Sequence, residues 1–271
     1  MPEFRARPQD LVITLLGAYL PARDQAVWSG GLVRLLGELG FSTAAARMAL
    51  TRLVGRDLLS RVRDGRRIHY RVTPRCAALL REGDERIFAL GRTPRRAEAW
   101  TVLWHALPDE RRTERGRLAR RLRFLGFGNV QDATWIAAHD REREVAALLG
   151  ELDIAGYAGL LVGRPAGSLD FAGLARRAWD FDDLAARYRG FVETFGPYAA
   201  DAAARRIDQR DAFLLRTQLA HVFRAFPFLD PELPADVMTP PEHRGTAVAL
   251  FHRLFAGLRA PAQRHFDAAV A

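Results

Sequence analysis

Between Ser42 and Arg75 the chain carries nine arginines against two acidic residues, Asp57 and Asp64. A guanidinium is a flat fork that holds a phosphate, or the O6/N7 edge of guanine, through two parallel hydrogen bonds. Two subsets of the stretch have the spacing for such work. Ser42 and Thr43 stand where a helix would begin, a place suited to phosphate, and Arg47, Thr51 and Arg52 follow on one side of that helix. Arg61, Arg63, Arg66, Arg67 and His69 crowd around Gly65, where they would make salt-sensitive contacts to a phosphate backbone. An ordinary solvated surface would also carry arginine. What separates the two readings is localisation: residues 1–90 have 15 Arg and 9 acids, residues 91–170 have 13 and 11, and residues 171–271 have 13 and 12. The excess of the +9 chain belongs to one segment, which points to duplex DNA as the partner.

The elements that must position these residues are legible in outline. Asp10–Leu20 is apolar at helical spacing and stops at Pro21, and a second helix starts near Ser29 and ends before Gly40. Ser42 caps a third, whose Ala46, Ala49, Leu50, Leu53 and Val54 form one inward stripe. A hairpin follows. A two-residue Asp64-Gly65 loop would set Val62 opposite Arg67, so parity favours a three-residue loop, Asp64-Gly65-Arg66. That register pairs Val62 with Ile68 and Ser60 with Tyr70 inside, and Arg61 with His69 and Arg63 with Arg67 outside. Three helices and a basic hairpin make a winged helix-turn-helix over residues 1–90, with the third helix in the major groove and Arg47 best placed for a guanine.

Composition narrows the class. All 41 basic residues are arginine, and half the chain is hydrophobic, enough for more than one core. The single cysteine, Cys76, excludes an intramolecular disulfide, and no apolar run reaches the length of a membrane span. With no apolar h-region near residue 1, a soluble cytoplasmic protein is expected.

From 91 to 170 a linker (91–99) leads to a strand at Trp100–Leu107, an Arg-rich helix closing at Gly126, two short strands in 127–138, a helix at 140–152 and a strand at 156–163. This β-α-β-β-α-β order is ferredoxin-like. The stretch GFGNVQDATWI, placed after such a helix, resembles the spacer-acquisition subunit of CRISPR systems, some of whose members are metal-dependent nucleases with an aspartate at the end of the first strand. Here His105 holds that place, so no metal site and no catalytic residue is expected, and the segment reads as a dimerisation or spacer module. GFGNV also follows a helix and is too short for a dinucleotide fingerprint.

Residues 171–271 read as an all-helical domain: one long helical region from Leu174, a helix at 211–226, a break through PFLDPELPADV and a last helix at 246–266. The blocks VWSGGLVRLLGELGFS, ARMALTRLVGRDLL, GRRIHYRVTPR, WTVLWHALPDERR, WDFDDLAARYRGF and LRTQLAHVFRAFPFLDPELP together resemble the PaaX-type repressors of aerobic phenylacetate degradation over about the full length. The resemblance implies an α+β multidomain chain that binds operator DNA as a homodimer, carries no cofactor, and releases DNA on binding an aryl-CoA thioester, typically phenylacetyl-CoA. Arg216, His221 and Arg224, spaced i, i+5, i+8 on one helix, would meet phosphate, with Trp179 or Phe223 lining a slot for the acyl group. Aromatics at helical spacing are otherwise core, and an arginine beside them snorkels.

Overall fold

The computed structural model describes residues 6–20, 25–92, 99–166, 170–200 and 206–271. Pro21 and most of the expected linker, residues 93–98, lie outside them. Among the described residues the chain is mixed α+β with two small sheets, and by its contacts it divides into two compact units. The first contains residues 1–88, 191–224 and 246–271, and the second contains 89–190 and 225–245. Residues 171–271, read from sequence as the helical C-terminal segment, contribute to both.

In the first unit, helices α1 (Pro8–Tyr19), α2 (Ser29–Glu38) and α3 (Thr43–Gly55) pack together. Strands β1 (Val27–Trp28), β2 (Leu59–Asp64) and β3 (Arg67–Val72) form a sheet in the order β1-β3-β2, and α4 (Pro74–Ala89) follows. The Gln209–Phe223 helix is buried on every side from Ala212 to Leu219, so it needs cover all round. That cover comes from α1 on one flank and the Arg259–Val270 helix on the other. Periodicity announces a buried helix without saying what buries it, which is why the N-terminal head and the C-terminal helices look separate in sequence. The join is close: a Cβ on Gly31 of α2 would lie 2.3 Å from the Ala269 carbonyl oxygen, so only glycine fits.

The hairpin corrects the expected register. Asp64 pairs with Arg67, Arg63 with Ile68, Val62 with His69 and Arg61 with Tyr70, so the loop is the two residues Gly65-Arg66. Gly65 has φ +56° and Arg66 does not, the type II′ requirement for glycine at the first loop position. Core packing stops at Leu59, Tyr70 and Val72, which are buried along with Val27 of β1. Beyond them the hairpin stands in solvent and no buried face selects a register, so the parity of Val62 and Ile68 carries no information there.

In the second unit, β4 (Trp100–His105), β5 (Gly128–Gln131), β6 (Thr134–Ala137) and β7 (Ala158–Gly163) form an antiparallel sheet in the order β5-β6-β4-β7. With α5 (Arg112–Phe124) and α6 (Glu142–Glu151) between strands this is the ferredoxin-like arrangement. Leu118 and Leu122 of α5 and Val145 and Leu148 of α6 cover Leu103 and Trp135 on one face. Helix α7 (Phe171–Ala178) and Leu233 cover Trp100 and Ile136 on the other.

Two expected helices are each broken in two. Trp179 is extended, and Asp180 accepts a hydrogen bond from Asp183 N (2.9 Å), which starts α8 (Phe181–Phe195) afresh. Residues 246–266 fall into the Arg244–Gly257 and Arg259–Val270 helices around Leu258, with Pro261 in the first turn of the second, where its missing N–H costs nothing.

Candidate nucleic-acid interface

Helix α3 begins as its sequence requires. Ser42 Oγ accepts from Ala45 N at 3.2 Å, which leaves the Ser42 O–H free to donate outward. Ala46, Ala49, Leu50 and Leu53 are buried, and Ser42, Thr43, Arg47, Thr51 and Arg52 are exposed. The side chains of Arg47 and Arg52 make no hydrogen bond or ion pair with the described residues, so their guanidinium groups are unspent. On a wheel of about 100° per residue the centre of the exposed face falls between Thr51 and Met48. Arg47 and Arg52 flank that centre, roughly 70° to either side.

The hairpin brings its cations to this helix in two groups, not along one outer face. Arg61 donates from Nη2 to Thr51 Oγ1 at 3.5 Å, which places Arg61, and with it Arg63 and Ile68, on the face nearest α3. Arg63 Nε also donates to the Gly65 carbonyl at 3.3 Å, holding it against the turn. Arg67 and His69 lie on the opposite face, and Arg66 is at the tip. Arg67 sits over the Trp28 ring at 5.1 Å, and His69 pairs with Trp28 across the sheet. His69 Nδ1 is buried with no partner among the described residues. Sequence reasoning missed Trp28, because a two-residue strand is too short to show a period. It also missed Met48 and Ile68, 53% and 45% exposed, which look like core residues in a string of letters. Arg75, by contrast, is spent on the chain itself and donates to the Arg56 carbonyl at the end of α3 (3.3 Å).

The five residues named for a ligand are not brought together. Trp179 belongs to the second unit, where its ring packs on Gly128. The other four lie in the first unit, inside the joint between α1 and the C-terminal helices. Arg216 is buried and donates to the carbonyls of Ala18 (3.1 Å) and Phe255 (3.2 Å), with its guanidinium 3.8 Å from the Phe255 ring centroid. Phe223 is stacked on Phe251 at 3.8 Å. Arg224 donates to the Asp10 carbonyl (3.1 Å) and to Thr14 Oγ1 (2.9 Å). Thr14 in turn donates to the Asp10 carbonyl (3.0 Å), which leaves its remaining lone pair for the Nδ1–H of His221 at 3.0 Å.

Burial first, and the Arg224 charge second, push His221 down to about 4, against a smaller opposing pull from Asp10. The unfolded chain therefore binds more protons than the folded one between pH 6.5 and about 4, and stability falls as pH drops through that window. Substituting His221→Gln should flatten this part of the profile. The gap in melting temperature between wild type and variant then changes from pH 7 to pH 4.5, and parallel profiles would assign the acid sensitivity to another group.

The second unit holds a cleft of about 390 Å³ lined by Phe181, Leu233, Met238, Pro240, Pro241 and Arg244, among others. At its floor Asp230 accepts from Tyr188 Oη (2.7 Å), Arg244 Nε (2.6 Å) and Glu232 N (2.7 Å). Glu232 accepts from Arg244 Nη2 (2.8 Å) and Gly91 N (2.9 Å). His105 ends β4 with Nδ1 buried and unpartnered among the described residues, and burial followed by the Arg115 charge lowers its pKa. Among the described residues there is no group of three His, Cys, Asp or Glu side chains placed to hold a metal, and no helix long and apolar enough to cross a membrane.

Three family profiles match the chain in succession: a PaaX-like protein profile over residues 7–76, the PaaX protein central Cas2-like domain over 94–175, and the PaaX-like protein C-terminal domain over 179–268. The chain is similar to Transcriptional repressor PaaX of Escherichia coli (strain K12), 28% identical over 238 residues, which is 84% of this chain and 73% of the relative. Among solved structures it is similar to uncharacterized protein Rv0674 from Mycobacterium tuberculosis, with a TM-score of 0.52 and 23% identity over 97% of this chain and 98% of the other. At that identity the likeness concerns the fold.

Proposed function

The chain belongs to the PaaX family, and from that premise we propose that it is a DNA-binding transcriptional repressor without catalytic activity, acting as a homodimer in the cytoplasm. Helices α1–α3 and strands β1–β3 serve as a winged helix-turn-helix. In this reading α3 enters the major groove, with Arg47, Thr51 and Arg52 facing base edges and Ser42 and Thr43 at phosphate. Arg61, Arg63, Arg66, Arg67 and His69 belong to the wing. The observation that carries the reading is the surface itself. Seven of the nine arginines of residues 42–75 belong to α3 or to the hairpin Leu59–Val72, and Arg47, Arg52, Arg61, Arg63, Arg66 and Arg67 are all exposed there. The similarity to the transcriptional repressor PaaX of Escherichia coli supports the same function.

We further propose that an aryl-CoA thioester such as phenylacetyl-CoA releases the operator, with the cleft of the second unit seating the aryl group. Phe181, Leu233, Met238 and two prolines provide apolar walls of suitable size there, whereas Arg216, buried, and Arg224, half-buried, are hydrogen-bonded within the first unit. The test is a mobility-shift titration of protein bound to the promoter DNA beside its own gene, with phenylacetyl-CoA, free phenylacetate and CoA in parallel. Release by the thioester alone is the expected result, and a tenfold loss of affinity corresponds to about 1.4 kcal/mol of differential binding. Absence of a shifted band in low salt removes the repressor reading. Release by none of the three removes the effector.

A further inference from the structure

The face of α3 that points away from the core is not centred on its arginines. Its buried stripe is Ala46, Ala49, Leu50 and Leu53, and the opposite pole falls at Ala44, Thr51, Met48 and Gly55. Ala44, Thr51 and Gly55 are small, so the helix can approach a surface closely along this line. Met48 is the one long side chain at the pole. At 53% exposure it is the most exposed large apolar residue among the described residues of the first unit, one turn from Ala44 on one side and from Thr51 and Arg52 on the other. A methionine in water at the middle of a cationic helix face gains nothing from the fold. It gains from an apolar group presented by whatever the face covers.

The major groove of DNA offers one such group, the C5-methyl of thymine, and it offers it only at A·T pairs. Resting on the reading of α3 as the DNA-reading helix, we propose that Met48 packs against a thymine methyl and sets an A·T preference at the centre of each half-site. Arg47 and Arg52, to either side, contact guanine edges or phosphates. The flexible, polarisable thioether suits a contact that must form beside charged neighbours. Discrimination at this position comes from burying one methyl group and not from a hydrogen bond, so it is modest and insensitive to salt. The arginine contacts are large and salt-dependent.

The test uses full-length protein to select duplexes from a random DNA pool, and then replaces each thymine of the selected site in turn with deoxyuridine. That change removes the methyl and leaves base pairing intact. At one thymine of each half-site the wild type should bind about fourfold more weakly, the value of one buried methyl group. Met48→Ala should bind the thymine site about as weakly as wild type binds the uracil site, and show no further loss with uracil. Met48→Leu should retain the difference. Because Met48 is exposed, both variants keep the core intact. The proposal is overturned if no thymine in the site is sensitive to loss of its methyl, or if Met48→Ala is as sensitive as wild type. A selection that enriches no sequence overturns the base-reading role of α3 itself, and this proposal with it.

Discussion

Replacing Asp230 with alanine is expected to cost about 3–5 kcal/mol and to lower the melting temperature by about 10 °C, the largest loss from any single polar side chain in the second unit. Asp230 is almost fully buried, and its two oxygens accept three hydrogen bonds, from Tyr188, Arg244 and the Glu232 amide. Alanine leaves all three donors in a cavity with no acceptor, and one of them belongs to a guanidinium. Burial works against the charge on Arg244, but Asp230, with Tyr188 and Glu232, offsets it, and the net effect raises the Arg244 pKa. Alanine removes that compensation, and because a guanidinium does not give up its proton inside a protein, the charge stays buried without its partner. Burial and the neighbouring Asp230 charge also raise the Tyr188 hydroxyl far above its usual value, so it too remains a donor.

The companion variants separate charge from shape. Asp230→Asn keeps the volume, but its amide turns an N–H either toward Tyr188 and Arg244 or toward the Glu232 amide, so it should cost nearly as much as alanine. Tyr188→Phe removes one donor and leaves the carboxylate its other partners, for a cost of about 1 kcal/mol. Thermal unfolding of the three variants checks the order. Equal losses for Tyr188→Phe and Asp230→Ala would mean that the hydroxyl, not the guanidinium, is the partner that matters.

How far the sequence disclosed this arrangement depends on what each residue is packed against. Helix α3 was legible because its cap, Ser42, and its apolar stripe are local signals that agree. The order of strands and helices in the second unit was legible for the same reason, since periodicity switches between two and 3.6 at each boundary. The hairpin register was not, because past Tyr70 neither face is buried and alternation stops meaning anything. The arginines divide in the same way. Arg47 and Arg216 are one letter in a sequence, yet one stands in water and the other lies under Phe255 and Tyr19, donating to helix-end carbonyls. Nothing in the spacing of residues 216, 221 and 224 marks them as the seam with α1, because the α1 side of that seam is some two hundred residues away. The acid pair at 230 and 232 was hidden too. Glu232 holds φ +50° without being glycine, a conformation that no turn rule announces and that the hydrogen bond from its backbone N–H to the Asp230 carboxylate accompanies.

The seam bears on regulation. Tyr19 and Thr14 of α1 are held by Thr217, His221 and Arg224 of the Gln209–Phe223 helix, and Glu38 of α2 is held by His265 at 2.7 Å. The N-terminal head and the C-terminal helices are thus tied together within one unit, and in the proposed reading a change that reaches those helices has a short path to α3. A ligand shifts such a system only by its differential affinity for the two arrangements.

The other large effect is expected at the hairpin. Removing three guanidinium groups at its tip, in Arg63→Ala/Arg66→Ala/Arg67→Ala, should lower the slope of log K against log salt by about 3 for each subunit on the DNA and weaken binding at physiological salt by at least roughly 100- to 1,000-fold. The fold should be undisturbed, because all three side chains are exposed and the turn is set by Gly65. Preference among base pairs should also survive, because phosphate contacts position the protein without reading sequence. Arg47→Ala makes the opposite pattern: a loss of about 1–3 kcal/mol confined to one base pair, with the salt slope changed by at most about 1. Fluorescence anisotropy titrations at four salt concentrations, on a selected site and on the same site with that pair exchanged, separate the two. An Arg47→Ala protein that retains full discrimination would move the reading function off α3, and a triple variant with an unchanged salt slope would take the hairpin off the phosphates. Such a split follows from the geometry, since Arg47 stands on the rigid face of a capped helix while Arg66 and Arg67 stand at a solvated turn. A helix face suits a bidentate contact with one base, and a cluster of exposed cations suits a charged backbone that is the same at every step.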